Sequence, residues 1–227
     1  MTDNAGVLPV TPMLRVLGWA SVILFLATVG GAALAYIRDN RFSFFSTYLS
    51  DMGNTPVWPQ AVFNAGMLIG IPARLLFLVL LVTLLTRAGA GRGLAIASLA
   101  AAAVLAVTSI GMYAVPFSVS RAIHLSSALV YFFGIVVVQI LIAIQEWRCR
   151  MPPVLPFSCV LVLALSLVFA TLLAAAGRME GVTRETPVIW EWMLFFATVF
   201  WWTVHTIVLG RQRARQWQGS TPPSERT

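Results

Sequence analysis

The sequence predicts an all-α, polytopic integral membrane protein folded as a bundle of six transmembrane helices. Six long apolar stretches occupy most of the 227 residues. Hydrophobic residues make up 59% of the chain, charged residues 10%, and the mean hydropathy is +0.86. A helix needs about 20 apolar residues to cross a bilayer and satisfies its own backbone hydrogen bonds there. No segment alternates with period two over many strands, which argues against a membrane β-barrel.

Each element follows from local composition. The predicted spans are residues 15–37, 60–86, 93–116, 121–144, 154–176 and 187–210. The small-residue motif Ala33-Leu34-Ala35 resembles a signal-peptidase site, but the apolar stretch before it is too long for a signal peptide. Residues 38–59 form a long loop rich in turn-forming and aromatic residues. The other loops between the second and sixth spans are short, so neighbouring helices should pack antiparallel.

Small residues indicate where helices approach closely. Gly66 and Gly70 lie four residues apart in the second span, Ala27, Gly31 and Ala35 share the first, and Ala100–Ala103 form a run in the third. Packing within one chain is the favoured interpretation of these motifs, over dimerisation.

Arginine sets the predicted orientation, because the chain contains no lysine. Nine arginines fall on the side of the two termini, five on the opposite side, and Arg74 lies inside a span. The positive-inside rule therefore places the N-terminal segment 1–14 and the polar tail 211–227 in the cytoplasm of a plasma (inner) membrane protein. We expect the tail to be disordered. The net charge of +7 is explained by this topology and by contact with anionic lipid, so nucleic acid is not a predicted partner.

Arg74 is a charge near the middle of the second span, where insertion costs at least about 2.5 kcal/mol and a partner is expected. It follows Pro72, which interrupts helical hydrogen bonding. Helical side chains tilt toward the N-terminus, so Arg74 should reach toward the outer end of its span.

Several other polar residues fall at the same outer depth. The predicted ligand-binding residues are Asp51, Asn64, Arg74, Arg121, His124 and Glu191, and the catalytic candidates among them are His124, Asp51 and Glu191. Carboxylates, an imidazole and arginines together suit acid–base chemistry or phosphate binding. HxxxH and HExxH spacings are absent, so no metal is predicted, and no cofactor is assigned. The alternative is structural: polar groups that only join helices, including Arg74–Glu191 and Arg121–Asp51 ion pairs.

Three short motifs resemble the Frag/DRAM/Sfk group of six-span membrane proteins. They are Ser50-Asp51-Met52-Gly53-Asn54-Thr55-Pro56 followed by Phe63, His124 followed by Ala128, Phe133 and Gly134, and the pair Glu191-Trp192. Gly111, Pro116, His124 and Phe63-Asn64 are also similar to a related prokaryotic six-span family of unknown function. The resemblance covers about residues 15–210 and implies a connection to membrane lipids, without a shared chemistry. Arg74 matches no position of the group.

The predicted function is a lipid-associated membrane protein that binds or helps process a lipid headgroup at an outer-face polar site. Two alternatives remain open. Glu191, Thr198 and His205 are spaced seven apart along the sixth span, a stripe that would line the path of a small transporter or channel. The chain would otherwise be a non-catalytic scaffold for a partner protein in the membrane. Whether the protein is an enzyme, and its oligomeric state, are left open.

Overall fold

The computed structural model describes residues 10–38, 42–54 and 58–219, and all regular structure in these ranges is α-helical. The helices are α1 Val10–Arg38, α2 Leu49–Asn54, α3 Trp58–Arg87, α4 Arg92–Ala114, α5 Arg121–Arg148, α6 Val154–Ala175 and α7 Val188–Gly219. Six of them are long and apolar enough to cross a membrane, whereas α2 is a short helix in the connection between α1 and α3. The all-α six-helix membrane bundle is thus confirmed.

The helix boundaries agree with the predicted spans to within a few residues, with three informative differences. Helix α1 begins at Val10 rather than at residue 15. Helix α5 continues to Arg148, four residues past the predicted end, and therefore includes Glu146. Helix α7 extends beyond residue 210 to Gly219, and residues 220–227 of the predicted tail lie outside the described ranges.

The long helices are arranged as a closed ring. Consecutive helices pack against each other from α3 through α7, while α1 packs against both α3 and α7. Short connections such as residues 88–91 and 149–153 enforce this order. We call the end of the bundle that carries α2 the loop end, and the opposite end the tail end.

Glycine marks the close helix contacts, although not at every predicted position. An added Cβ at Gly66 would collide with Thr28 Oγ1 of α1, so the predicted role of Gly66 is confirmed. The prediction for Gly31 is wrong, because an added Cβ there would meet no atom within 4 Å. Helix α1 buries Thr28 and Ala32, one residue along from Ala27 and Gly31, while Ala35 of the predicted stripe is buried.

Candidate functional site

Glu191 and Trp192, at the start of α7, fasten the α1–α3 connection to the bundle. Glu191 Oε2 accepts a hydrogen bond from the Leu49 N–H at 2.7 Å, and the carboxylate also accepts from the Ser50 N–H. These donors lie in the first turn of α2, where a carboxylate satisfies otherwise unpaired N–H groups. Trp192 Nε1 donates to the Thr47 carbonyl at 2.9 Å. Both side chains are buried, so this pair clamps the connection.

Asp51 belongs to the same short helix and holds its N-terminal end. Its Oδ2 accepts from the Tyr48 N–H at 3.1 Å, and its Oδ1 lies 3.7 Å from Arg184 Nη2. The Tyr48 hydroxyl donates to the Arg184 carbonyl at 2.5 Å. Burial, together with the negative charge of Glu191, raises the pKa of Tyr48 to about 12. Asp51 and Glu191 therefore bind adjacent backbone N–H groups and share one local structural task.

Asn64 secures the other end of α2. Its Nδ2 donates to the Gly53 carbonyl at 3.0 Å, and the side chain is buried. An added Cβ at Gly53 would lie 2.7 Å from Asn64 Oδ1. The glycine two residues after Asp51 is thus needed for the close approach of α2 to α3.

His124 and Arg121 lie at the loop end too, but in a different set of contacts. His124 Nδ1 lies 3.2 Å from the Val115 carbonyl, and the guanidinium of Arg121 lies 5.2 Å from the ring centre of Phe117. The link to α2 runs through Phe117, whose N–H donates to Asn54 Oδ1 at 2.8 Å. In the described part of the chain, no carboxylate is hydrogen-bonded to His124.

Arg74 reaches back along α3, in the direction that the sequence predicted. Its Nη2 donates to the Met67 carbonyl at 2.7 Å, and its guanidinium lies 5.6 Å from the ring centre of Phe25. Gly70 leaves the space, since an added Cβ there would lie 2.9 Å from Arg74 Nη1. The proposed ion pair with Glu191 is not formed, and among the described residues no carboxylate lies within 4 Å of the guanidinium.

The half-buried guanidinium of Arg74 borders a cavity of about 80 Å³ inside the ring of helices. Five of the six long helices line it, all except α6. The polar lining residues are Arg74, Ser109, Tyr131, Gln139 and Thr198, and the remainder is apolar, including Phe25, Leu78, Trp201 and Trp202. Gln139 Oε1 is buried and has no hydrogen-bond partner among the described residues. The cavity therefore offers a cation and an open acceptor within apolar walls.

A second polar cluster, at the tail end, was missed by the sequence analysis. His205 Nε2 lies 2.6 Å from Glu146 Oε1, and the Cys159 thiol donates to Glu146 Oε2 at 3.6 Å. Glu146 and His205 have no exposed side-chain surface. The predicted fourth span ended at residue 144, which placed Glu146 in a loop. The signal that could have found the cluster is depth, because Glu146 and His205 both lie near the same membrane boundary.

The stripe along α7 does not form one continuous polar path. Glu191 binds the first turn of α2, Thr198 lines the cavity, and His205 pairs with Glu146. Helical spacing alone had placed the three on one face, and the structure gives each a separate set of partners.

Comparison with known proteins provides no further assignment: no protein-family model, curated protein sequence or solved structure matches this chain.

Proposed function

We propose that this chain is a lipid-handling membrane protein that binds the anionic headgroup of a lipid in its interior cavity, with Arg74 as the residue that contacts the phosphate or carboxylate. The observation that carries the proposal is the small number of hydrogen bonds that the Arg74 guanidinium donates. It borders the cavity while donating a single described hydrogen bond to the protein, to the Met67 carbonyl. A guanidinium has five N–H donors, so most of its binding capacity is open.

An anionic ligand would offset the free-energy cost of placing the charge of Arg74 inside the membrane. A cation near the bilayer centre is costly and normally has a partner. The Phe25 ring offsets part of this cost through a cation–π contact. A phosphate or carboxylate would offset more, because it accepts two parallel, charge-assisted hydrogen bonds from arginine.

The shape and lining of the cavity favour a lipid over a soluble metabolite. Its volume of about 80 Å³ is several times the ~10–15 Å³ that one water requires, so it has room for a phosphate or carboxylate group. Apolar walls with a few placed polar groups are typical of sites for amphiphilic ligands. The resemblance to the Frag/DRAM/Sfk group points to lipids as well.

In this proposal the loop-end residues hold the α2 segment in place and do not bind the lipid. The carboxylates of Asp51 and Glu191 are occupied by backbone N–H groups of the α2 segment. The amide of Asn64 is occupied by the Gly53 carbonyl. The binding site is therefore assigned to the cavity of Arg74, Tyr131 and Gln139 rather than to the outer surface.

The protein is proposed to lie in a plasma (inner) membrane with both termini cytoplasmic, because arginine is enriched on their side. A cysteine introduced at Thr183 should react with an impermeant thiol reagent added to intact cells, and one at Gly91 should not. The unmodified chain, which has Cys149 and Cys159, is the control. Reaction at Gly91 without reaction at Thr183 would invert the orientation.

Lipid retention tests the binding site. The delipidated protein is offered phosphatidylglycerol and phosphatidylcholine in equal amounts and analysed by native mass spectrometry. We expect preferential phosphatidylglycerol binding that falls at least tenfold in Arg74→Gln and only partly in Arg74→Lys, which keeps the charge. Arg121→Gln, at an exposed arginine, is the matched control and should bind as the parent does. Equal binding of both lipids by the parent, or unchanged binding in a correctly folded Arg74→Gln protein, would refute the proposal.

A further inference from the structure

The tail-end cluster brings three different metal-ligating side chains together from three helices. Glu146 lies on α5, Cys159 on α6 and His205 on α7. One ligand atom from each residue lies within 4.8 Å of the others, and all three residues are buried. They are far apart in sequence, so the packing of these three helices, rather than a local motif, creates the cluster.

The hydrogen bonds around the cluster leave the lone pair of His205 Nε2 facing the carboxylate of Glu146. His205 Nδ1 lies 2.8 Å from the Trp201 carbonyl. A carbonyl can only accept, so Nδ1 carries the proton and the Nε2 of a neutral imidazole presents its lone pair. That lone pair faces Glu146 Oε1 at 2.6 Å. A carboxylate oxygen and a ring nitrogen at this distance share a proton, and a cation bound to both atoms would displace that proton.

The surroundings of the sulfur are arranged for a ligand as well. Trp201 Nε1 donates to Cys159 Sγ at 3.0 Å, which fixes the position of the sulfur. The carbonyl of the same residue orients His205. Metal-binding histidines usually donate their second ring N–H to a carbonyl or carboxylate in this way. Trp201 thus positions two of the three candidate ligands.

We propose that Glu146, Cys159 and His205 bind one divalent cation of the zinc class. Nitrogen, sulfur and oxygen ligands together suit this borderline-soft ion, and three protein ligands leave a fourth position for water or another ligand. Bond lengths of about 2.0–2.3 Å in a tetrahedral site place ligand atoms roughly 3.3–3.7 Å apart. Cys159 Sγ and Glu146 Oε2 already lie 3.6 Å apart. His205 Nε2 and Glu146 Oε1, now 2.6 Å apart, would separate by roughly 0.7 Å to bind the same ion. On binding, the cation replaces the thiol proton and any proton between His205 and Glu146.

The site also borders the proposed lipid cavity. Trp201 lines that cavity and contacts both Cys159 and His205. The ion would link α5, α6 and α7 on the tail-end side of the cavity. The inference does not depend on the lipid proposal, because it is drawn from a different set of side chains.

Metal titration of the full chain tests the inference. The purified protein is treated with a chelator, dialysed, and titrated with Zn²⁺ and separately with Co²⁺. We expect one equivalent of Zn²⁺ to bind, and the Co²⁺ form to show the thiolate-to-metal charge-transfer absorption that requires a sulfur ligand. Cys159→Ser, Glu146→Gln and His205→Gln should each weaken Zn²⁺ binding at least tenfold.

Two comparisons separate ligation from folding. Cys159→Ser is nearly isosteric and retains an acceptor for Trp201, so it should fold while losing the charge-transfer absorption. Cys149→Ala removes the other thiol, whose described hydrogen bond goes to the Leu85 carbonyl, and should bind metal as the parent does. Failure of the parent to bind one equivalent would overturn the inference. So would a Cys159→Ser protein that retains the parent's Zn²⁺ affinity.

Discussion

Replacing His205 with leucine should lower the free energy of unfolding of the chelator-treated protein by about 3–5 kcal/mol, the cost of leaving one partner of a buried pair without the other. His205 Nε2 and Glu146 Oε1 lie 2.6 Å apart, and both side chains are fully buried. Without the imidazole, the carboxyl group of Glu146 loses its strongest partner in a site that water does not reach. Unfolding in detergent, followed by circular dichroism, measures the change.

A double replacement provides the control for this prediction. Glu146→Leu combined with His205→Leu removes both polar groups and should recover much of the lost stability, because apolar residues often substitute for a buried pair without loss. Thr203→Val, at a residue whose hydroxyl bonds only within α7, should change stability little. Strictly additive effects of the two single replacements would show that the two side chains are not coupled.

Replacing Glu191 with leucine should free the α2 segment from the bundle. The replacement leaves the N–H groups of half-buried Leu49 and exposed Ser50 without their acceptor. A fully buried unsatisfied donor costs about 1–3 kcal/mol, so we expect a loss at the lower end of this range. We expect rapid proteolysis between residues 42 and 54, and a lower melting temperature. Glu191→Gln keeps an acceptor oxygen and should be milder.

The matched control for the loop is Glu185→Leu, which changes an exposed glutamate six residues earlier. It should leave both the protease pattern and the melting temperature unchanged. If Glu191→Leu and Glu185→Leu behave alike, Glu191 does not hold the α2 segment.

The membrane helices could be read from the sequence because bilayer thickness imposes a long apolar stretch on each of them. Their inward faces were harder to assign. Gly66 was placed correctly, whereas Gly31 was not, because the chain does not show which neighbour each face meets. Glu146 lies two residues beyond the predicted end of the fourth span, so the sequence did not mark it as a candidate. Its burial depends on α6 and α7, which the composition of α5 cannot reveal.

For the candidate site, too, the sequence indicated how deep the polar residues lie in the membrane but not which groups they bind. The sequence located polar residues at the loop end and predicted the direction of Arg74, which its bond to the Met67 carbonyl confirms. It did not reveal that Glu191 binds the backbone of α2 rather than Arg74. Backbone N–H groups are present at every residue, so no side-chain pattern marks them as the partners of a carboxylate.

Photolabelling with a phosphatidylglycerol analogue that carries a diazirine beside its phosphate tests the central claim most directly. The headgroup should reach the cavity, so peptide mass spectrometry should find modification at cavity residues such as Ser109 or Tyr131. Unlabelled phosphatidylglycerol should compete, phosphatidylcholine should not, and Arg74→Gln should abolish the signal. Modification confined to outward-facing side chains such as Leu129, which is 73% exposed, and unaffected by Arg74→Gln, would contradict an anionic-lipid site inside the bundle.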